Sequence, residues 1–275
     1  MKCCILTIGN ELIQGRIVDT NSSFLARKLT IMGHEVLAKI SVGDSFEMIS
    51  KALRICIDIF GCDLIITTGG LGPTPDDITL EAIARTFNLE LILNEEALKE
   101  VERKYLERGL EMTESRKKMA LLPCGAKPIP NPVGIAPGAL LDIDADGKRI
   151  KIIALPGVPK EMEAMFSYYV ERILKLPNRF LIEAYVNLRN ARESDLAPII
   201  KELSKTHPDF YIKSHPLGDE IERPSILLYI STYDRDVEKG VKRCSELVRE
   251  IEKRVKERIP DVSIEIRTPC KANTT

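Results

Sequence analysis

Asp63-Leu64-Ile65-Ile66-Thr67-Thr68-Gly69-Gly70-Leu71-Gly72-Pro73-Thr74-Pro75-Asp76-Asp77 takes the chain from apolar and β-branched residues through a turn with three glycines into two adjacent carboxylates. A short apolar run bounded by glycine and proline reads as a strand buried on both faces, the kind that sits inside a parallel sheet. Glycines let backbone amides come close to a bound group where a Cβ would collide. Asp76 or Asp77 is expected to cap a helix starting near Thr79, so that amide donors and the positive end of a helix dipole point into one small volume. The functional reading is an anion site formed by Thr68, Gly69, Gly70 and Gly72; the structural one is a strand-to-helix turn that uses glycine for geometry alone. Two carboxylates beside a phosphate are unfavourable unless a cation bridges them, so the pair Asp76 and Asp77 suggests magnesium or a similar hard ion.

The flanking sequence alternates strand and helix. Residues 2–8 form an apolar strand, and Thr20-Asn21-Ser22-Ser23 supplies caps for a helix with Phe24, Leu25, Leu29 and Met32 near helical spacing, ended by Gly33. A strand over 35–42 and a helix over 45–60, apolar at Phe46, Ile49, Leu53, Cys56 and Phe60, lead into the strand 63–68. This is βαβαβ, and strands apolar on both faces imply a mostly parallel sheet covered by helices on two sides. Ligands in such sheets sit at the carboxyl ends of the strands. The turns 9–21, 42–45 and 69–77 should share that edge with Leu155-Pro156-Gly157-Val158-Pro159-Lys160-Glu161, which follows a strand at 149–155.

Further along, a helix to about Asn88 and a charged helix near 95–108 precede a Pro/Gly-rich loop over 121–139 centred on Asn131-Pro132-Val133-Gly134-Ile135-Ala136-Pro137-Gly138. This loop either closes over the site or only crosses the surface. A hairpin joins 139–144 to 149–155, and a helix follows at 159–174. Past Leu176-Pro177-Asn178 the pattern changes to the strict alternation of Phe180, Ile182, Ala184, Val186 and Leu188, then a helix, strands at 209–214 and 225–232, a long helix and a last strand at 262–266. The expected organisation is residues 1–175 as an α/β domain, 176–267 as a small α+β domain of ferredoxin-like or KH-like type, and 268–275 as a frayed tail. The second domain shows no GxxG loop, and no aromatic pair is evident on a strand face for base stacking.

Lys plus Arg number 40 against 41 Asp plus Glu, a net charge of −1, which gives no electrostatic case for nucleic acid or for a membrane surface. Seven cysteines without a CxxC pair, beside three histidines, argue against zinc. Cys3, Cys4 and Cys56 lie in apolar runs and read as buried reduced thiols. No stretch reaches the roughly 18–20 apolar residues that span a bilayer, and a cytoplasmic location is expected.

Five segments together resemble the amino-terminal domain of the CinA (competence/damage-inducible) family: GxELxxGxIxDTN at 9–21, VGD at 42–44, TTGGLGPTPDD at 67–77, NPVGxAPG at 131–138 and ALPGVPxEM at 154–162. The wider group is the molybdopterin-binding fold of MogA and MoeA, a three-layer α/β sandwich. Residues 180–260 look similar to the KH-like middle domain of CinA, and the resemblance stops before the carboxy-terminal domain that carries nicotinamide-mononucleotide deamidase activity, so that activity is not expected. The resemblance implies divalent-metal-dependent hydrolysis of ADP-ribose to AMP and ribose 5-phosphate, with Mg²⁺, Mn²⁺ or Co²⁺ as cofactor. Other readings are a protein that binds or adenylylates molybdopterin, and a non-enzymatic nucleotide-binding or assembly module.

The residue roles expected on this basis are Asp44 and Asp77 as catalytic, metal- or water-positioning carboxylates, with Asp76 as a further metal ligand. Glu11 is the candidate base, and Lys160 is the cation facing phosphate beyond Pro156 and Gly157, which border the substrate. Asn131 and Gly134 line the nucleoside end. Two departures from the family pattern stand out: Asn10 where Asp is usual, and Ser45 where a second Asp follows Asp44. Both remove a carboxylate from the edge and predict weaker metal binding. The expected partner is a small nucleotide or pterin ligand, and a homodimer or trimer is expected from fold relatives.

Overall fold

The computed structural model describes all residues except 146, 175–178, 218–223 and 274–275. The chain divides into two units, Met1–Thr30 with His34–Lys175 and Ile31–Gly33 with Leu176–Thr275. The expected boundary at 176–178 lies outside the described residues.

In chain order the first unit runs β1 (Lys2–Ile8), α1 (Asn10–Ile13), α2 (Thr20–Ile31), β2 (Glu35–Val42), α3 (Phe46–Arg54), β3 (Leu64–Thr68), α4 (Thr79–Thr86), β4 (Leu91–Leu93), α5 (Glu95–Leu106), α6 (Glu114–Lys117), β5 (Leu121–Pro123), β6 (Lys127–Ile129), β7 (Gly138–Ala145), β8 (Lys148–Leu155), α7 (Pro159–Met165) and α8 (Glu171–Leu174). The sheet order is β2-β1-β3-β8-β7-β6. The ladders β2–β1–β3–β8 are parallel, and the hairpin partners β7 and β6 close one side antiparallel. β3 is buried along its whole length and β1 from Cys3 to Ile8, as strands covered on both faces must be. Leu6 of β1, Ile65 of β3 and Ile152 of β8 pack in one core with Ile49 and Leu53 of α3, Ile83 of α4 and Val101 of α5. Each such side chain removed from water contributes roughly 1.5–3 kcal/mol. The Pro/Gly-rich segment after 120 contains the short strands β5 and β6, with β5 paired to β4.

The second unit is β9 (Phe180–Arg189), α9 (Glu193–Thr206), β10 (Tyr211–Pro216), β11 (Ser225–Asp234), α10 (Val237–Arg258) and β12 (Ser263–Asn273). Its antiparallel sheet runs β10-β11-β9-β12, and this βαββαβ order is the ferredoxin-like of the two expected forms. Ala184, Val186, Leu228 and Ile230 meet Leu196, Leu203, Leu247 and Ile251 of the two helices in a separate core.

Two expectations are corrected here. Residues 268–273 are not a frayed tail: β12 pairs with β9 as far as Asn273 opposite Leu181, and a disulfide joins Cys270 to Cys244 of α10 with the Cα atoms 5.9 Å apart. Nor is the sheet without an aromatic pair, because Tyr229 of β11 lies directly opposite Tyr185 of β9. Cys3, Cys4 and Cys56 are buried free thiols, and burial pushes the Cys3 thiol up to about 12. Among the described residues no helix is long and apolar enough to cross a membrane.

Candidate functional site

The parallel strands end on a common edge, and a cavity of ≈ 820 Å³ opens there. The loops after β1, β2, β3 and β8 all reach it, as a doubly covered parallel sheet requires. Of the residues expected in the site, Glu11, Asp44, Thr68, Gly69, Gly70, Gly72, Asp76, Asp77, Gly134, Pro156 and Gly157 line this cavity. Leu12, Ile17, Val18, Leu71, Tyr105, Met119 and Ile135 add an apolar wall.

The glycine loop is held against the sheet. Gly69 adopts φ +103°, and a Cβ there would come within 2.1 Å of the Ile8 carbonyl oxygen. Its amide donates to Leu155 O at 3.1 Å, so it is not a phosphate donor as expected. Gly70 has φ +67° and sits against Thr79, whose amide donates to Gly70 O at 3.2 Å and whose hydroxyl donates to Gly69 O at 2.8 Å. The first amide of α4 is therefore used on the loop itself. The amides of Gly70, Leu71 and Gly72 make no backbone hydrogen bond among the described residues and are the donors this loop offers.

Neither Asp76 nor Asp77 caps α4. The residue before that helix is Ile78, with no side-chain capping bond, because both carboxylates turn back to Thr74. Asp77 Oδ2 accepts from Thr74 N at 2.8 Å, and the Thr74 hydroxyl lies between Asp77 Oδ2 at 2.6 Å and Asp76 Oδ1. That hydroxyl bond holds the exposed Asp76 carboxyl below the usual carboxylate range.

Asp44 is bracketed by Asn10: Asn10 N donates to Asp44 Oδ2 at 2.9 Å, and Asp44 N donates to Asn10 Oδ1 at 3.3 Å. Partial burial raises the Asp44 carboxyl above its ordinary value. The Asn10 amide opposes that rise, while the charges of Glu11 and Asp76 add to it. The three expected ligands Asp44, Asp76 and Asp77 do not converge as a ready cage. Among the described residues no group of three or more His, Cys, Asp or Glu is placed to hold a metal ion. Magnesium is commonly held by one or two carboxylates together with substrate phosphates.

Lys160 and Asn131 take other roles than expected. Lys160 is exposed and off the cavity, while Glu161, one step around α7, lines it. Asn131 is 1% exposed and organises the loop that follows it. Its Oδ1 accepts from Val133 N at 3.1 Å and Gly134 N at 2.7 Å, and its Nδ2 donates to Ala136 O at 2.9 Å and Glu161 Oε2 at 2.7 Å. Lys104, ion-paired to Glu100 at 2.6 Å, donates to the Asn131 carbonyl at 2.5 Å. The loop therefore closes over the site, the first of the two readings weighed for it, since Val133 through Ala136 line the cavity.

Sequence reasoning missed three polar contributors. Asp19 accepts from Ser22 N at 2.9 Å, starting α2, and from the Thr7 hydroxyl at 3.1 Å. Asn21, 8% exposed, donates through Nδ2 to Gly157 O at 2.8 Å and Thr68 Oγ1 at 3.2 Å. Gly157 O can only accept, which fixes the orientation of the amide, and Asn21 Oδ1 is left buried without a partner. Among the described residues, Arg108, just past α5, is the single Lys or Arg that lines the cavity, against six carboxylates from Glu11, Asp19, Asp44, Asp76, Asp77 and Glu161. The DTN triplet 19–21 marks two of these three. Arg108 has no signal beyond its charge.

A mostly parallel sheet covered by helices, with a glycine-turn pocket at its carboxyl edge, defines an open α/β class of protein whose cavity lies at the strand ends. Residues 4–175 match the family model described as a probable molybdopterin binding domain. The chain belongs to this family, as a CinA-like member of it. A crystal structure of the protein CinA with unknown function from Thermoplasma acidophilum is 39% identical, covers 64% of this chain and 100% of its own, and superimposes with a TM-score of 0.57. A protein of Pyrobaculum calidifontis is 48% identical over 228 residues, 82% of this chain and 85% of its own length. Another, from Caldivirga maquilingensis, is 42% identical over 257 residues, 93% of this chain and 97% of its own.

Proposed function

We propose that the cavity binds a phosphorylated pterin of the molybdopterin class. The observation that carries this reading is the buried acceptor Asn21 Oδ1, which has no partner, in a lining that also holds six carboxylates and one arginine, so that the phosphate would arrive with a cation. Such a wall offers acceptors to a heterocycle that presents several N–H donors, as the amino-pyrimidinone edge of a pterin does, and the buried Asn21 Oδ1 stays costly until it receives a hydrogen bond. The apolar side with Tyr105, Met119 and Leu71 gives a flat ring a surface to rest on. The Gly70, Leu71 and Gly72 amides and Arg108 are the groups available to a terminal phosphate. Isothermal titration of molybdopterin, and of ATP for an adenylylated form, tests the reading. Binding that Asn21→Ala and Arg108→Ala each weaken supports it, and no heat with either ligand removes it.

Hydrolysis of ADP-ribose-type diphosphates is a second reading, with one specific observation in its favour. Glu11, Asp44 and Asp76 place negative charge around one rim, and beyond partial burial the repulsion of Glu11 and Asp76 adds to the rise of the Asp44 carboxyl. A cation carried by a pyrophosphate would relieve that repulsion and could acidify an attacking water. Release of AMP from ADP-ribose across magnesium, manganese and cobalt decides it; no AMP with any of the three eliminates hydrolysis while leaving pterin binding intact.

A further inference from the structure

The second unit has its own candidate surface, unrelated to the cavity. Cross-strand partners share a face of a sheet, and the face opposite Ala184, Val186, Leu228 and Ile230 carries no helix of that unit. On it the register aligns Lys213, Tyr229 and Tyr185 in one row across β10, β11 and β9, and Tyr211, Ser231, Glu183 and Lys271 in the next across all four strands. The rings of Tyr185 and Tyr229 have centroids 5.1 Å apart, and those of Tyr211 and Tyr229 are 6.1 Å apart. Three tyrosines on three adjacent strands thus form one aromatic cluster, with Tyr185 tilted by 41° and Tyr211 by 64° to the Tyr229 ring, so that each offers its own ring face. Tyr211 is 59% exposed, so it is not there to fill a core.

The polar groups hold the cluster in place. Glu183, 1% exposed, accepts from the Tyr229 hydroxyl and from Asn273 Nδ2, which fixes the central ring and neutralises the demand of the buried carboxylate. The exposed Lys213 and Lys271 stand on the two edge strands, one on each side of the rings. The other acid of this face, Glu265, is paired with Arg189 at 3.3 Å.

We propose that this face binds single-stranded nucleic acid, with bases stacked on Tyr211, Tyr229 and Tyr185 and phosphates held by Lys213 and Lys271. Adjacent aromatics on the central strands of a four-stranded βαββαβ sheet are the arrangement by which RNA-recognition modules stack bases. Stacking on an aromatic face tolerates any base, while lysines at the rim supply the backbone attraction. A duplex keeps its base faces inside and offers nothing to the rings. The balanced net charge that argued against nucleic acid describes the whole chain, whereas recognition needs only this local pairing of rings and cations.

The test uses the full chain with fluorescein-labelled twelve-base single-stranded RNA and DNA and the matching duplexes, read by anisotropy at low salt. Intrinsic tyrosine emission gives a second readout, since the chain has no Trp. Single strands should bind more tightly than duplexes and quench tyrosine emission. Tyr211→Ala should weaken binding at least about fivefold, Tyr211→Phe should restore it, and Lys213→Ala should flatten the salt dependence. Tyr211 lies exposed on an edge strand, so its removal leaves the core of the unit intact. No binding at low salt, equal affinity for duplex and single strand, or an unchanged affinity in Tyr211→Ala each overturns the proposal.

Discussion

Asn10 and Asp44 hold each other by backbone and side chain at once, Asn10 N to Asp44 Oδ2 and Asp44 N to Asn10 Oδ1, across the ends of β1 and β2. Asn10 is thus a structural clamp that fixes the Asp44 carboxylate at the rim without adding a charge of its own. Asn10→Asp keeps the acceptor but adds a charge next to Asp44, Glu11 and Asp76. The variant should lose about 0.5–1 kcal/mol of stability at neutral pH and low salt, and recover it on addition of Mg²⁺. Thermal unfolding with and without the cation measures both changes; a variant indifferent to Mg²⁺ would contradict the expectation.

The raised Asp44 carboxyl has a consequence for pH. Its folded value lies above the unfolded one of about 3.8, so between the two the folded state binds more protons. Stability from this group is therefore present at low pH, falls as pH rises through that window, and stays reduced above it. Asp44→Asn removes the charge and keeps an acceptor for Asn10 N. It should raise Tm at pH 7 and leave it nearly unchanged at pH 3.

Gly69→Ala meets the Ile8 carbonyl in the middle of the sheet edge and a backbone conformation that alanine avoids. A loss above about 3 kcal/mol is expected, since strain and displaced packing add. Gly147→Ala provides the control. That glycine also has positive φ, at +81°, but no atom lies within 4 Å of an added Cβ. It should cost only about 1 kcal/mol. Urea midpoints of the two variants give the comparison.

How far the sequence foretold this structure varies with the length scale of the interaction. The strand run 64–68 and its glycine turn gave the sheet, its parallel core and the edge where the cavity lies, because burial on both faces leaves a local pattern. The roles of individual polar residues were set by contacts the local pattern does not contain. Asp76 and Asp77 look like helix caps, yet Thr74, two or three positions earlier, captures both. Lys160 reads as a phosphate cation, but one step around a helix turns it outward and brings in Glu161. Asn131 was expected to line the ligand and instead ties its own loop. Tyr185 and Tyr229 become neighbours only through strand register.

Arg108 is expected to matter to ligands and little to folding. Its Nη1 donates to Lys104 O at 2.9 Å, a bond that contributes about 1 kcal/mol at most. Arg108→Ala should weaken phosphorylated ligands roughly tenfold or more by removing a charge-assisted contact. The same variant should leave binding of the unphosphorylated pterin within about threefold. Equal losses for both ligands would place the phosphate elsewhere.

Reducing the Cys244–Cys270 bond releases a loop of 26 residues' separation, which the chain-entropy relation converts to about 3.5 kcal/mol. Cys270→Ser should lower the unfolding midpoint of the second unit accordingly. Amide exchange along β12 should quicken in the variant and stay slow along β1 and β3.

The same bridge determines where a mechanical load goes. An antiparallel edge strand normally unzips from its end one hydrogen bond at a time under small tension. Here a pull on the chain beyond Asn273 would peel only the last few pairs before the sulfur atoms pass the force into α10, so further extension must drag a whole helix from the sheet. A load entering through β12 is therefore shared with α10 and not borne by the edge strand alone.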